Sequence, residues 1–384
     1  MPHNGLPPEV VDEILSYLED DKPALLSCML ASKAFRARAE PVMYRRLEIR
    51  YVCQSFTDVT ADYKLDRATA RLVRTLEATP GHAQQCPALT VSFHWDEWRI
   101  RTLSPTPLTR ASLRALLKRF SAVTNFAVTS NPRGLHLLSR MVGLSDVLST
   151  VPTGRGLHSL RLSGLNSDLL PWLLSLAHLT SLTFQQPILR KPLPTPPATF
   201  RLAHLGVGKL DADDADVFAL LTANSLTSLT SLAAPYSFPF ETSLVHFPHL
   251  TSLTLTFDSY SDDPSCWRSS RREALQHFLE TNNTLRTLTF SHGTSSPGPR
   301  RTALLITLPP HLEVLRLRPY PLPSQTALGL IVDLPATLRK VEWTPWSGNG
   351  PWKSGRRESV EEACKAKGIQ DVTFTTVEKI ELDG

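Results

Sequence analysis

The sequence predicts an α/β chain. A short all-α segment of three helices precedes an irregular solenoid, with parallel strands on its concave face and helices or loops on its convex face. Three observations point there. The first fifty residues carry apolar positions at helical spacing. Beyond them an apolar-x-x-apolar-x-apolar template returns along the chain. The 384 residues also include 62 leucines and 31 prolines, with aromatics at only 8%. That balance suits many short elements separated by breaks better than one compact enzyme core.

The helical segment reads in order. Leu6-Pro7-Pro8-Glu9 opens the first helix, since proline is tolerated where helix N–H groups lack partners. Glu9 and Asp12 lie where the helix dipole favours negative charge. Val10, Ile14 and Leu18 form an i, i+4, i+8 stripe, widened by Val11 and Leu15. The polar run Glu19-Asp20-Asp21-Lys22-Pro23 breaks the helix. A second helix carries Leu25, Leu26, Cys28, Met29 and Leu30. Ser32 is expected to cap a third helix bearing Phe35, and Pro41 is expected to end it. Three such helices leave apolar surface that needs a partner or the rest of the chain.

The run Leu6-Pro7-x-Glu9-Val10, Ile14-Leu15, Leu18, Leu25-Leu26-Ser27-Cys28, Ser32-Lys33-Ala34-Phe35, Pro41, Tyr44, Leu47 resembles the F-box family. The resemblance covers residues 4–48, and a first domain is placed at 1–48. It implies a segment that binds the Skp-type adaptor of an SCF-type cullin–RING ubiquitin ligase. Carried over by position, the implied adaptor contacts are Leu6, Pro7, Val10, Ile14, Leu15, Leu25 and Leu26. They would act as apolar anchors in helix-in-groove recognition.

Residues 49–384 read as a second domain, and the template reaches back slightly into the first. It occurs at Tyr44/Leu47/Ile49, Cys86/Leu89/Val91, Val123/Phe126/Val128, Leu157/Leu160/Leu162, Leu179/Leu182/Phe184 and Leu202/Leu205/Val207. An imperfect copy, Leu226/Leu229 followed by Ser231, comes next. The rest are Leu250/Leu253/Leu255, Leu285/Leu288/Phe290, Leu312/Leu315/Leu317, Leu338/Val341/Trp343 and Ile369/Val372/Phe374. Mid-chain starts lie 22, 23, 24 and 24 residues apart, inside the period of leucine-rich repeats. Longer steps coincide with insertions at Asp258–Ser270, Ser291–Arg301 and Thr344–Arg357. Return helices are expected at Ala111–Phe120, after Asp211, and at Arg271–Thr281. A last helix should open at Ser359 with a capping box and close near Gly368. The whole resembles a leucine-rich-repeat horseshoe of the irregular sort found after F-boxes. The usual asparagine at the ninth position is mostly missing, with Asn166 one place late, so irregular turns are expected. A single-sheet α/β domain is the competing reading.

Alternate strand residues face outward on the concave side. That face reads as hydroxylic in the middle (Ser228/Thr230 and Ser252/Thr254/Thr256, for example) and positive at the far end. Candidate target contacts are Arg161, Thr183, His204, Thr254, Thr289, Arg316, Arg318 and Lys340. Arginine and lysine there suit an acidic or phosphorylated segment.

Composition and motifs exclude other classes. The 41 basic and 36 acidic residues leave +5, too weak to imply nucleic-acid binding without clustering. Trp267, Arg268, Arg271 and Arg272 read as a solvated helix face. Five scattered cysteines, none in C-x-x-C, predict reduced thiols and no zinc site. The start lacks a signal-peptide pattern, and no run is long enough to span a membrane. The expected location is cytoplasmic, nuclear or both, with the sequon at Asn282 unused. Asp211–Asp216 lacks the glycine and distal glutamate of a calcium loop. Gly348–Ser354 lacks the glycine a phosphate loop needs before its lysine, and Pro192–Pro197 reads as a spacer. No hydrolase, metalloprotease or dinucleotide motif is present. The reading is a non-catalytic substrate receptor without cofactor or metal. The alternative is a leucine-rich-repeat scaffold whose helical N-terminus merely caps the array.

Overall fold

The computed structural model describes residues 6–53, 63–95, 103–107, 110–130, 148, 150, 156–188, 198–208, 215–235, 247–257, 269–292, 308–318, 334–344 and 354–374. The chain forms two compact units, Met1–Phe184 with Ile188–Phe200, and Gln185–Pro187 with Arg201–Gly384.

In the first unit, helices α1 (Pro8–Tyr17), α2 (Lys22–Ala31) and α3 (Lys33–Met43) make a small bundle. The Asp21 carboxylate accepts the Ala24 N–H at 3.0 Å and caps α2. The Ser32 hydroxyl accepts the Phe35 N–H at 3.1 Å and caps α3, as expected. Pro41 does not end α3, which runs on to Met43. Proline in a last turn forfeits only one helical bond, and Val42 beyond it is buried in the bundle core. That core is Val11, Leu15, Leu25, Ala39 and Val42, with Leu18, Met29 and Phe35 packed around it. Arg38 clasps both oxygens of Asp12 at 2.8 Å, tying α3 to α1.

The bundle is joined to the first strand by polar and aromatic contacts. Arg46, the first residue of β1 (Arg46–Cys53), meets Glu19 at 3.0 Å and Asp20 at 3.2 Å. Lys22 donates to the Met43 carbonyl. Tyr44 stacks on His82 with centroids 4.1 Å apart, and His82 lies 3.4 Å from Glu40 of α3.

After β1 come β2 (Tyr63–Asp66), α4 (Arg67–Ala78), α5 (Pro80–Gln84), β3 (Ala88–Trp95), β4 (Leu103–Pro107), α6 (Arg110–Leu117), β5 (Asn125–Ser130), β6 (Ser159–Asn166), α7 (Leu170–Leu174) and β7 (Ser181–Ile188). The strand order in this unit is β7-β6-β5-β3-β1-β2-β4. β1, β3, β5 and β6 are parallel, with the register Leu47–Leu89–Phe126–Leu160 running across them. β2 and β4 are antiparallel additions beside β1. The strand template alone did not reveal them, because neither carries it.

The second unit holds β8 (His204–Val207), α8 (Ala215–Thr222), β9 (Ser231–Pro235), β10 (Ser252–Phe257), α9 (Ser269–Thr281), β11 (Thr287–His292), β12 (Val314–Arg318), β13 (Lys340–Trp343), α10 (Ser354–Ala366) and β14 (Asp371–Phe374). Its strands follow chain order from β8 to β14, each parallel to the next, as in a solenoid. One buried row crosses them at Leu205, Leu232, Leu253, Leu288, Leu315 and Val341, continuing to half-buried Val372.

The strand entries are joined to their neighbours by a pair of backbone bonds, reinforced at β9, β11 and β13 by a hydroxyl. A single carbonyl accepts two successive N–H groups from the next strand. Thr251 and Ser252 bond Thr230 O, Arg286 and Thr287 bond Thr251 O, and Glu313 and Val314 bond Arg286 O. A hydroxyl just ahead of the template's first leucine then reaches back. Ser228, Thr284 and Thr337 donate to the carbonyls of Leu202, Leu250 and Leu312 at 2.8–2.9 Å. These bonds satisfy main-chain groups that would otherwise be stranded beside an apolar core.

Three expectations need correction. The imperfect template copy was framed three residues early. The frame is Leu229/Leu232/Ala234, all buried, while Leu226 is 40% exposed. Ser228 and Thr230 are therefore not on the strand face, since their hydroxyls bond Leu202 O and Ala203 O. Ser359 does not open the last helix, because α10 already runs from Ser354. Its end is as expected. Gly368 has φ +80°, Gly368 N–H bonds Lys365 O, and Ile369 N–H bonds Cys364 O, the 5→2 and 6→1 pair of a left-handed cap.

The corrected frame makes a prediction. Leu229→Ala should cost about 2–5 kcal/mol, as burial at zero exposure implies. Leu226→Ala should stay within about 0.5 kcal/mol, as a surface change. Urea denaturation of the two variants measures the difference.

Candidate functional site

Among the described residues, the largest exposed apolar feature belongs to the helical bundle. Helix α1 is apolar on two sides. Val11, Leu15 and Leu18 face the core, whereas Val10, Ile14 and Tyr17 point to solvent, with Leu6 just ahead of them. Leu6 is 59% exposed, Ile14 44% and Tyr17 80%. Helix α2 repeats the division, with Leu25 buried and Leu26 and Leu30 exposed, the latter by 75%. Of the large hydrophobic side chains that stand exposed among the described residues, all but Leu226 lie here. Such surface is unfavourable in water.

The seven sequence-derived adaptor candidates divide accordingly. Leu6, Pro7, Val10, Ile14 and Leu26 are exposed. Leu15 and Leu25 are not available for contact, because both are fully buried between the helices. A heptad-like stripe does not distinguish the inner from the outer side of a helix that is apolar on both. Tyr17 and Leu30 were missed for the same reason. Their i+3 and i+4 spacing from Ile14 and Leu26 was the available signal.

The strand face is the second candidate surface. His204 and Arg318 are exposed there, and Arg161, Thr183, Thr254, Arg316 and Lys340 are half-buried. Thr289 is buried between Thr254 and Arg316 on the flanking strands, so it offers no free contact. In the first unit, Arg50 meets Glu48 at 3.3 Å, and the Ser92 hydroxyl donates to Glu48 at 2.6 Å.

The expected positive end is largely self-neutralised. Arg316 Nε lies 2.8 Å from Glu342 Oε2, Arg318 lies 3.6 Å from the same oxygen, and Lys340 Nζ lies 3.1 Å from Oε1. Lys340 also reaches Asp371 at 3.2 Å. The outward pattern places Glu342 beside Lys340 on one strand and Asp371 on the next, but the pairing with Arg316 and Arg318 crosses from the neighbouring strand and follows only from the register. Burial alone would raise the Glu342 carboxyl. The hydrogen bond from Lys340 and the charge of Arg316 outweigh it and hold the group below its ordinary range. Hydrogen bonds to Glu342 and Asp371 hold the Lys340 ammonium above its usual range. The Thr373 hydroxyl, then Lys340, hold Asp371 low.

The other singled-out groups add no site. Cys86 and Cys364 are buried, and burial pushes both thiols up to about 11, so they stay protonated and unreactive at neutral pH. Among the described residues no cluster of His, Cys, Asp or Glu could hold a metal ion. No helix among them is long and apolar enough to cross a membrane. Asp216 is exposed in the first turn of α8, whereas residues 211–214 of its acidic run lie outside the described residues. So do Trp267 and Arg268, residues 192–197 and residues 348–353.

Compared with known families, residues 3–50 match the F-box-like domain. No curated protein matches the sequence. F-box domains generally bind Skp-type adaptors, and the match covers the three helices that present the exposed apolar face.

The Glu342 network makes a pH prediction. A carboxyl whose pKa is depressed on folding contributes stability above its ordinary value of 4.5, and that contribution is lost as pH falls through the lower native value. Wild type should therefore exceed Glu342→Gln in stability at pH 6, and the gap should close on acidification. Urea midpoints of both proteins between pH 6 and pH 3 give the comparison.

Proposed function

We propose that this chain is the substrate-recognition subunit of an SCF-type cullin–RING ubiquitin ligase. The observation that carries the reading is the exposed apolar face of α1 and α2 inside the segment that matches the F-box-like domain. A Skp-type adaptor would cover Leu6, Pro7, Val10, Ile14, Leu26 and Leu30, turning an unfavourable surface into an interface core. The adaptor would connect the chain to a cullin. The strand-bearing remainder, read as an irregular leucine-rich-repeat horseshoe, would hold a target protein on its outward strand residues. Ubiquitin transfer is then accelerated by proximity, through a raised effective concentration of target near the charged enzyme. The subunit itself performs no chemistry and needs no cofactor, and its place of action is the cytoplasm, the nucleus or both.

A second reading is a leucine-rich-repeat scaffold in which the bundle only caps the first strand. The Arg46 contacts to Glu19 and Asp20 and the Tyr44–His82 stack favour it. It leaves the outward apolar residues of α1 and α2 without a role.

The two readings diverge in a pull-down of purified Skp-type adaptor with the full chain. Ile14→Ala and Leu26→Ala should each weaken capture about tenfold, a cost of about 1.4 kcal/mol, with unchanged melting. Leu15→Ala should instead destabilise the bundle by about 2–5 kcal/mol, because its side chain fills the core. Adaptor capture that is absent from wild type with the protein folded would leave the cap reading.

A further inference from the structure

Among the described residues, the other arginines and lysines on the strand faces come with carboxylates. Arg50 has Glu48, while Arg316, Arg318 and Lys340 gather on Glu342. Arg161 is different. It lies on β6 between inward-facing Leu160 and Leu162, so its side chain is on the outward face, where it is half-buried. Among the described residues no carboxylate reaches it.

Among the described residues its strand neighbours are uncharged. Ala127 is its register partner on β5, with Asn125 and Thr129 to either side of that alanine on the same face. The step from β6 to β7 repeats the double bond seen elsewhere, Thr180 and Ser181 N–H to His158 O. That bond sets Thr183 beside Arg161 on the other flank. Burial pulls the guanidinium below its ordinary range, which is what partial loss of water without a counter-charge does. A half-desolvated cation is costly until an oxyanion meets it, and the planar fork of arginine matches carboxylate or phosphate.

We propose that Arg161, flanked by the Thr183 hydroxyl, is an oxyanion-reading position that takes the carboxylate or phosphate of a bound protein segment. This deepens the proposed function and rests on its reading of the strand face as the target surface. Arg161 then selects acidic or phosphorylated segments, and the paired cations around Glu342 do not.

Thermal melts of the full chain test it, with inorganic phosphate or acetate replacing chloride at fixed ionic strength. Wild type should gain about 1–2 °C in at least one of these anions, and Arg161→Gln should lose that gain. A gain in phosphate alone assigns a phosphorylated segment, and a gain in acetate assigns a carboxylate. In chloride, Arg161→Gln should melt no lower than wild type, since it removes an unpaired charge. Arg316→Gln should melt lower, since it removes a partner of Glu342. No anion-specific gain in wild type, an equal gain in Arg161→Gln, or a chloride melt of Arg161→Gln as low as that of Arg316→Gln overturns the proposal. The melt involves neither adaptor nor target. A failed adaptor pull-down leaves it standing, and a flat melt leaves adaptor docking standing.

Discussion

From β9 to β14, each parallel strand of the second unit enters the sheet by giving two N–H groups to one carbonyl at the entry of the strand before it. Everything else there depends on that step. It sets the register, and the register aligns Leu205, Leu232, Leu253, Leu288 and Leu315 into one buried row. A slip of one residue would send the whole row to solvent. The hydroxyls of Ser228, Thr284 and Thr337 reinforce the step from the turn side, where Leu202, Leu250 and Leu312 would otherwise present bare carbonyls. Neighbouring strands thus stabilise one another, and a lone strand has nothing to pack on.

The helical bundle obeys a different constraint. Its core is five buried residues, two of them leucines, with half-buried neighbours around them. A core that small leaves a helix such as α1 with more apolar side chains than it can hide. The surplus is on the outside, at Val10, Ile14 and Tyr17. Such a surface is a cost to the free chain and a gain to a complex. The strand face works through charge instead. Where cations meet Glu342 and Asp371, the face is satisfied internally and holds its shape. At Arg161 no carboxylate among the described residues reaches the guanidinium, which is why we propose it as the oxyanion-reading position.

Much of this was legible in one dimension. The template located the buried strand residues because a period-two pattern headed by a leucine reports burial directly. It failed at Leu226, where a serine- and threonine-rich stretch offered two frames and only burial of Leu232 and Ala234 chose between them. It was silent on β2 and β4, which pair antiparallel and carry no leucine signature. The helix stripes located α1 and α2 but not their inner sides, so Leu15 and Leu25 were grouped with surface contacts they cannot make. Charge reading placed Arg316, Arg318, Lys340 and Glu342 on one face, but the cross-strand register that joins the two arginines to Glu342 was not legible.

By itself, the sequence determined the elements: three helices, the third capped at Ser32, ahead of a train of leucine-headed strands, with no catalytic motif among them. Those features depend on local chemistry, on caps, prolines and side-chain periodicity, and local chemistry is written in order along the chain. Only the tertiary structure decided which of two apolar sides of α1 faces water, which frame of the Leu226–Ser231 stretch is buried, and which cations are already paired. Each of those is a question of what lies across a gap of tens of residues. Burial and ion pairing act through space, so neighbours on adjacent strands and helices settle them.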